Sequence, residues 1–131
     1  MWKRTRDKVA IVGYTQHQLQ APWTDVSWDI WGLNDLYLWM EEQAKAAGWG
    51  DLYTSGRLSW FQIHRETSGD QPFNTGARDP KHVEWLQAGK CPVWMWRTYP
   101  QFPTSMAYPI REILREFPRA YFNNTISWQI A

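Results

Sequence analysis

Three short apolar runs in the chain each stop at a cluster of polar residues. Val9-Ala10-Ile11-Val12-Gly13 leads into Tyr14-Thr15-Gln16, Ile30-Trp31-Gly32-Leu33 into Asn34-Asp35, and Leu58-Ser59-Trp60-Phe61-Gln62-Ile63 into His64-Arg65-Glu66. Runs that are apolar at successive positions fit strands of a parallel sheet buried on both faces. The pattern predicts strands over 8–12, 29–33 and 58–63. Between the last two, Leu36, Tyr37, Met40 and Ala44 recur at helical spacing, so a helix is expected from Leu36 to Ala47. Asp35 reads as its cap, and Gly48 with Gly50 ends it.

Further along, Asp79-Pro80 is a helix start with the aspartate as cap and the proline in the first turn, and the helix is expected to run to Ala88. A fourth strand follows over 92–96. Three prolines between Tyr99 and Pro109 predict a loop of restricted conformation. Ile110, Ile113, Leu114 and Phe117 share one face of a helix over 110–117. Tyr121-Phe122 reads as a short fifth strand, and Asn124 or Thr125 as the cap of a last helix. Residues 14–27 form a long connection with a helical turn expected within 25–28. Residues 66–77, with Gly69, Pro72 and Gly76, read as a mobile loop.

This order of elements predicts an α/β fold: a Rossmann-like three-layer unit with a mostly parallel sheet of about five strands and right-handed crossovers. At 131 residues the chain is read as a single domain. Open parallel sheets bind ligands beyond the carboxyl ends of their strands. The polar residues that close the apolar runs are therefore expected to meet at one rim, with Asn34, His64 and Arg97 as its test.

Candidate chemistry follows from those positions. Tyr14 and the Thr15 hydroxyl lie in a turn that could meet a phosphate or ribose. Gly13 alone is no phosphate-binding signature, because the three-glycine fingerprint and the P-loop lysine are both missing. No cofactor is therefore expected. Asn34 offers both donor and acceptor. Asp35 is a candidate proton carrier as well as a cap. His64 can move protons near neutral pH, with Glu66 to orient it and Arg65 beside it as a ligand contact. Arg97 is the natural anion partner, since guanidinium pairs with phosphate or carboxylate in a bidentate way. Ser105 is expected to contact an anion near the following helix start, and Asn123 to complete the polar ring. His17 and His82 are weaker candidates. No two histidines and a carboxylate share a metal-binding spacing, so no metal site is expected. No serine stands in a nucleophile elbow, and Cys91 has no histidine near it in sequence.

Composition sharpens this picture in three ways. Eleven tryptophans in so short a chain fill a core with large side chains. Trp23, Trp28 and Trp31 are the best placed to serve instead as stacking platforms, and Trp23 and Trp31 enter the candidate site. Net charge is +1, and the basic residues are scattered apart from Lys3, Arg4, Arg6 and Lys8, which argues against nucleic acid as a partner. A single cysteine fits a reducing compartment. No apolar run is long enough for a membrane span, and charges through Lys8 do not fit a signal peptide. A cytoplasmic protein is expected. The half-apolar ending Ile126-Ser127-Trp128-Gln129-Ile130-Ala131 suggests packing on a neighbouring subunit, hence a homo-oligomer.

Taken together, the motifs resemble a family of small, uncharacterised phage and prophage proteins. The matching segments are Val12-Gly13, Ala21-Pro22-Trp23, Trp28-Asp29-Ile30-Trp31-Gly32-Leu33-Asn34 and Trp60-Phe61-Gln62-Ile63-His64. They continue with His82-Val83-Glu84-Trp85-Leu86, Pro92-Val93-Trp94-Met95, Ser105 with Tyr108-Pro109-Ile110, and Tyr121-Phe122. The resemblance implies a Rossmann-like fold, a phage setting and a host-cell cytoplasm, and it implies no particular reaction. Many members of the family continue into a further strand ending in Gly-x-Asp, before which this chain stops.

The expected function is a phage-derived protein that binds a nucleotide or nucleotide-like metabolite at the strand ends. Glycosyl or nucleotidyl transfer or cleavage is the natural class if it turns its ligand over. The alternatives are a non-catalytic phage factor that sequesters a host nucleotide signal or inhibits a host defence protein, and a virion or assembly component.

Overall fold

The computed structural model describes residues 6–63 and 80–118. Within them five strands form one sheet: β1 (Lys8–Ile11), β2 (Trp28–Leu33), β3 (Leu58–Gln62), β4 (Val93–Met95) and β5 (Ser105–Ala107). Three helices accompany them: α1 (Leu36–Ala47), α2 (Pro80–Ala88) and α3 (Ile110–Glu116). Every strand pairing is parallel, and the strands lie side by side in chain order, β1-β2-β3-β4-β5. The protein is thus an α/β fold built on a five-stranded, all-parallel sheet.

Burial explains the apolar runs. All five residues of β3, the central strand, are buried, whereas β1 at the edge has none. One face carries Ile30, Leu58, Trp60, Val93 and Met95, packed with Leu36, Tyr37 and Met40 of α1 and Trp85 and Leu86 of α2. The first turn of α1 meets α2 there, with the Tyr37 and Trp85 rings stacked at 4.1 Å. A right-handed crossover between neighbouring parallel strands always passes over the same face. Strands laid down in chain order therefore bring α1 and α2 together. The other face carries Trp31, Phe61 and Trp94, with Tyr108 edge-on to Phe61 and Trp94.

Gly32 has a specific packing role in β2. A Cβ there would lie 2.5 Å from Cζ3 and 2.7 Å from Cζ2 of the fully buried Trp60. The missing side chain is the seat of that indole, whose Nε1 donates to the Asn34 carbonyl at 2.8 Å.

The fifth strand differs from expectation. Ser105–Ala107 forms β5 inside the stretch read as a loop, and Tyr121-Phe122 lies outside the described residues. Parallel neighbours usually need a crossover of a dozen or more residues, typically with a helix. Here the nine residues 96–104 suffice, folded through a turn in which Phe102 donates its N–H to the Tyr99 carbonyl. No helical periodicity marks that crossover, and three residues are too few to show a strand pattern. In the 14–27 connection a hydrogen-bonded turn forms over 25–28, where Trp28 donates its N–H to the Asp25 carbonyl at 3.2 Å, and a 3₁₀ turn that the sequence did not suggest lies at Gln18–Gln20.

Candidate functional site

The parallel arrangement carries the residues that follow every strand to a single edge. Asn34 and Asp35 leave β2, Arg97 comes two residues after β4, and Tyr108 follows β5. Gly13, Tyr14 and Thr15 come after β1. Hydrogen bonds tie the rim together: Val12 donates its N–H to the Trp31 carbonyl, Asn34 to Phe61, and Tyr108 to Met95. With strands about 4.8 Å apart, the β2 and β4 exits are about 10 Å from one another. Because strand order follows chain order, no point exists among the described strands where the order reverses. The open crevice usual in doubly wound sheets is not built here that way, and any site is assembled from loops above the rim.

The clearest contact on the rim joins β1 to α1. The Tyr14 hydroxyl donates to the Asp35 carboxylate. Burial, followed by the Asp35 carboxylate, pushes the Tyr14 hydroxyl well above the ordinary phenol range. Asp35 occupies the N-cap position of α1 but makes no side-chain capping bond. A tyrosine from the preceding loop thus engages the carboxylate that the sequence assigned to the helix end. Asp35 is exposed, so its carboxylate can still meet a ligand.

Asn34 stands at a φ of 48°, a left-handed conformation that asparagine tolerates better than other residues with a side chain. The Trp60 indole fixes its carbonyl, so the turn out of β2 is set from inside the core. Arg97 is exposed and lies with its guanidinium 4.5 Å over the Tyr99 ring, a cation–π contact that holds the charge at the β4 exit. Thr15 forms a local turn in which its Oγ1 accepts the His17 N–H at 3.2 Å.

Two candidate residues belong elsewhere. Trp23 is 2% exposed, stacked on Trp49 at 5.6 Å and tilted against Trp39 at 5.9 Å. Its Nε1 donates to the Gln18 carbonyl at 2.8 Å. It is a core residue that anchors the 14–27 loop, not a platform for a ligand. Ser105 begins β5 and so sits at the opposite edge of the sheet, 8% exposed. Its Oγ accepts the Tyr99 N–H at 2.8 Å and faces the Phe102 and Tyr99 carbonyls at 2.7 and 3.1 Å. It closes the short crossover and does not meet an anion. Trp31 lies mid-strand, its ring 5.3 Å from that of Phe61 on the sheet face rather than at the tip. His64, Arg65 and Asn123 lie outside the described residues, as do Glu66, the 66–77 loop, Asp79 and the chain ending at Ala131.

Sequence reasoning passed over one buried polar group, Arg57, and ranked another, His82, only as a weaker candidate. Arg57 is 2% exposed, and its guanidinium donates to the carbonyls of Trp23, Asp25, Trp28 and Pro22. It acts on the 22–28 loop as a helix C-cap acts on a helix, and nothing in the local sequence separates it from a surface arginine. Near the rim, His82 in the first turn of α2 is 3% exposed. Its Nδ1 is 3.1 Å from the Tyr37 hydroxyl, and its Nε2 is 3.1 Å from Oε1 of Gln62, the last residue of β3. His82 shares the buried face of α2 with Trp85, a spacing that could have pointed to it.

At the other edge a cleft of about 440 Å³ opens beside the last turns of α1, over Met40, Ala44 and Leu52, with Glu41, Asp51 and Tyr53 at its walls. Tyr53 donates to Glu41 at 2.5 Å and accepts the Trp85 indole N–H at 3.1 Å. Among the described residues no three His, Cys, Asp or Glu side chains are grouped to hold a metal ion, and no helix is long and apolar enough to cross a membrane. Comparison of the chain with family models, curated proteins and solved structures finds no match, so the geometry of the rim is what bears on function.

Proposed function

We propose that the carboxyl edge of the sheet binds a nucleotide or nucleotide-like metabolite. The observation that carries this reading is the joining of Tyr14 to Asp35 on the same edge as Asn34 and Arg97. An exposed carboxylate suits a ribose hydroxyl, which donates to it. The Asn34 amide suits the edge of a base or a sugar, and Arg97 suits a phosphate. If the ligand is turned over, Asp35 is the proton carrier of this set. Its hydroxyl partner Tyr14, neutral throughout the physiological range, can follow as a donor.

The test is thermal shift and calorimetric titration against a nucleotide panel, with Arg97→Ala and Asp35→Asn as variants. Loss of the guanidinium is expected to weaken the tightest nucleotide about tenfold or more, as for a charge-assisted hydrogen bond. Loss of the carboxylate should weaken the nucleotide but not its base alone. If no member of the panel stabilises the protein, the reading fails. Ligand recovered chemically unchanged after long incubation would mark sequestration in place of catalysis.

A further inference from the structure

Helix α1 begins at the rim and ends about 18 Å away, beside the cleft of about 440 Å³. The floor of that cleft is apolar: Met40 and Leu52 are buried, and Ala44 packs on the same core. Charged groups stand around it. Glu41 is already matched, because Lys90 reaches its carboxylate at 3.1 Å and the Tyr53 hydroxyl donates to it at 2.5 Å. The Lys90 ammonium also lies 5.1 Å over the Tyr53 ring, so this wall is satisfied within the protein. Lys45 and Asp51 are not. They line the same cleft with opposite charges, and neither forms an ion pair. Asp51 is nevertheless held in place, since its Oδ1 accepts the Tyr53 N–H at 2.9 Å. Gly48, which closes α1 and is also part of the wall, brings the partial negative charge of a helix C-terminus. A Cβ on Gly48 or Gly50 would meet no atom within 4 Å, so the approach over these two residues is open.

We infer that this cleft binds a free apolar α-amino acid. The ligand's ammonium pairs with Asp51 and the end of α1, its carboxylate pairs with Lys45, and its side chain covers Met40, Ala44 and Leu52. A simple amine would set its charge against Lys45, and a simple carboxylic acid would set its charge against Asp51. Only a ligand bearing both charges beside an apolar group meets every part of the lining. The volume is in the range of small-molecule sites. Lys45 and Asp51 are both exposed, so water and salt screen them and the expected affinity is about 1 mM. The site is separate from the rim and does not depend on the nucleotide reading.

The probes are L-phenylalanine, L-phenylalaninamide, phenylpropionate and L-serine, titrated into the full-length protein. NMR follows the backbone amides of Gly48, Gly50 and Leu52 and the Met40 methyl group. L-Phenylalanine is expected to shift these signals saturably. The amide lacks the carboxylate, phenylpropionate the ammonium and serine the apolar group, and each should bind about fivefold more weakly or worse. Asp51→Asn and Lys45→Met should weaken L-phenylalanine to a similar degree. Asparagine still accepts the Tyr53 N–H and methionine keeps most of the lysine stem, so folding is preserved. The four probes on the wild-type protein decide the matter even if a variant folds poorly. Equal binding of the amide or of phenylpropionate overturns the assignment of an amino acid. Equal binding of serine does so too, by removing the apolar floor from recognition. No saturable shift with L-phenylalanine overturns the site itself.

Discussion

Replacing Gly32 by alanine should destabilise the protein, although glycine-to-alanine changes inside a strand ordinarily help. Glycine in a strand costs about 0.5–1 kcal/mol relative to alanine because more backbone freedom is lost on folding. Against that gain stands the Trp60 indole, whose benzo-ring carbons would lie at 2.5 and 2.7 Å from the new methyl group. Contact between carbons is comfortable at about 3.5–4.0 Å, so the indole must withdraw by about 1 Å. Trp60 is fully buried and wedged against Tyr37 and Trp85, with ring centroids at 6.4 and 5.5 Å. Overpacking of this kind costs about 1–3 kcal/mol. Withdrawal also breaks the 2.8 Å bond from Nε1 to the Asn34 carbonyl, adding about 1–3 kcal/mol for the buried groups left unmatched. The net loss is about 2–4 kcal/mol. Urea unfolding followed by far-UV circular dichroism, with the midpoint read at several wavelengths, measures it. The same change in a Trp60→Phe background removes the obstructing ring, and there the alanine should cost less than about 1 kcal/mol. Equal or greater stability of the single variant, or strict additivity of the pair, would refute the packing argument.

Two further outcomes follow from buried polar groups. Arg57→Met should lower stability by about 3 kcal/mol or more, because several loop carbonyls lose their donor at once. Arg57→Lys should recover only part of the loss, and full stability of the methionine variant in the same unfolding assay would contradict the role assigned to the guanidinium. Burial pushes the Cys91 thiol from 9.0 up to about 12. The neutral thiol is the form the fold favours, so its contribution is complete below pH 9 and is lost as pH rises toward 12. Cys91→Ala should flatten that part of the alkaline stability profile. At pH 8 the native thiol should react with a disulfide reagent only as fast as the protein opens, and rapid stoichiometric labelling would count against its burial.

Much of the frame was legible along the chain because apolar periodicity is a local signal. The runs at 9–12, 30–33 and 58–63 read as parallel strands because a sheet covered on both faces needs no polar alternation. The spacing of Leu36, Tyr37, Met40 and Ala44, with Gly48 after them, reproduces α1. β5 escaped because its three residues sit among prolines and are joined to β4 without a helix. Trp23 and Ser105 were misplaced for a related reason. A tryptophan in a polar loop and a serine in a proline-rich one look exposed until the chain around them is folded.

By itself the chain determined its class, the places of β1 to β4 and of the three helices, and that Asn34 and Arg97 leave their strands at the carboxyl edge. Only the tertiary structure decided that the strands lie in chain order, that Tyr14 engages the Asp35 carboxylate at the start of α1, and that Arg57, His82 and Gln62 are buried. The reason is the range of the forces involved. Periodicity and capping act within a few residues, whereas the partner of a buried polar group comes from wherever the fold brings it, 45 residues away for His82 and Tyr37.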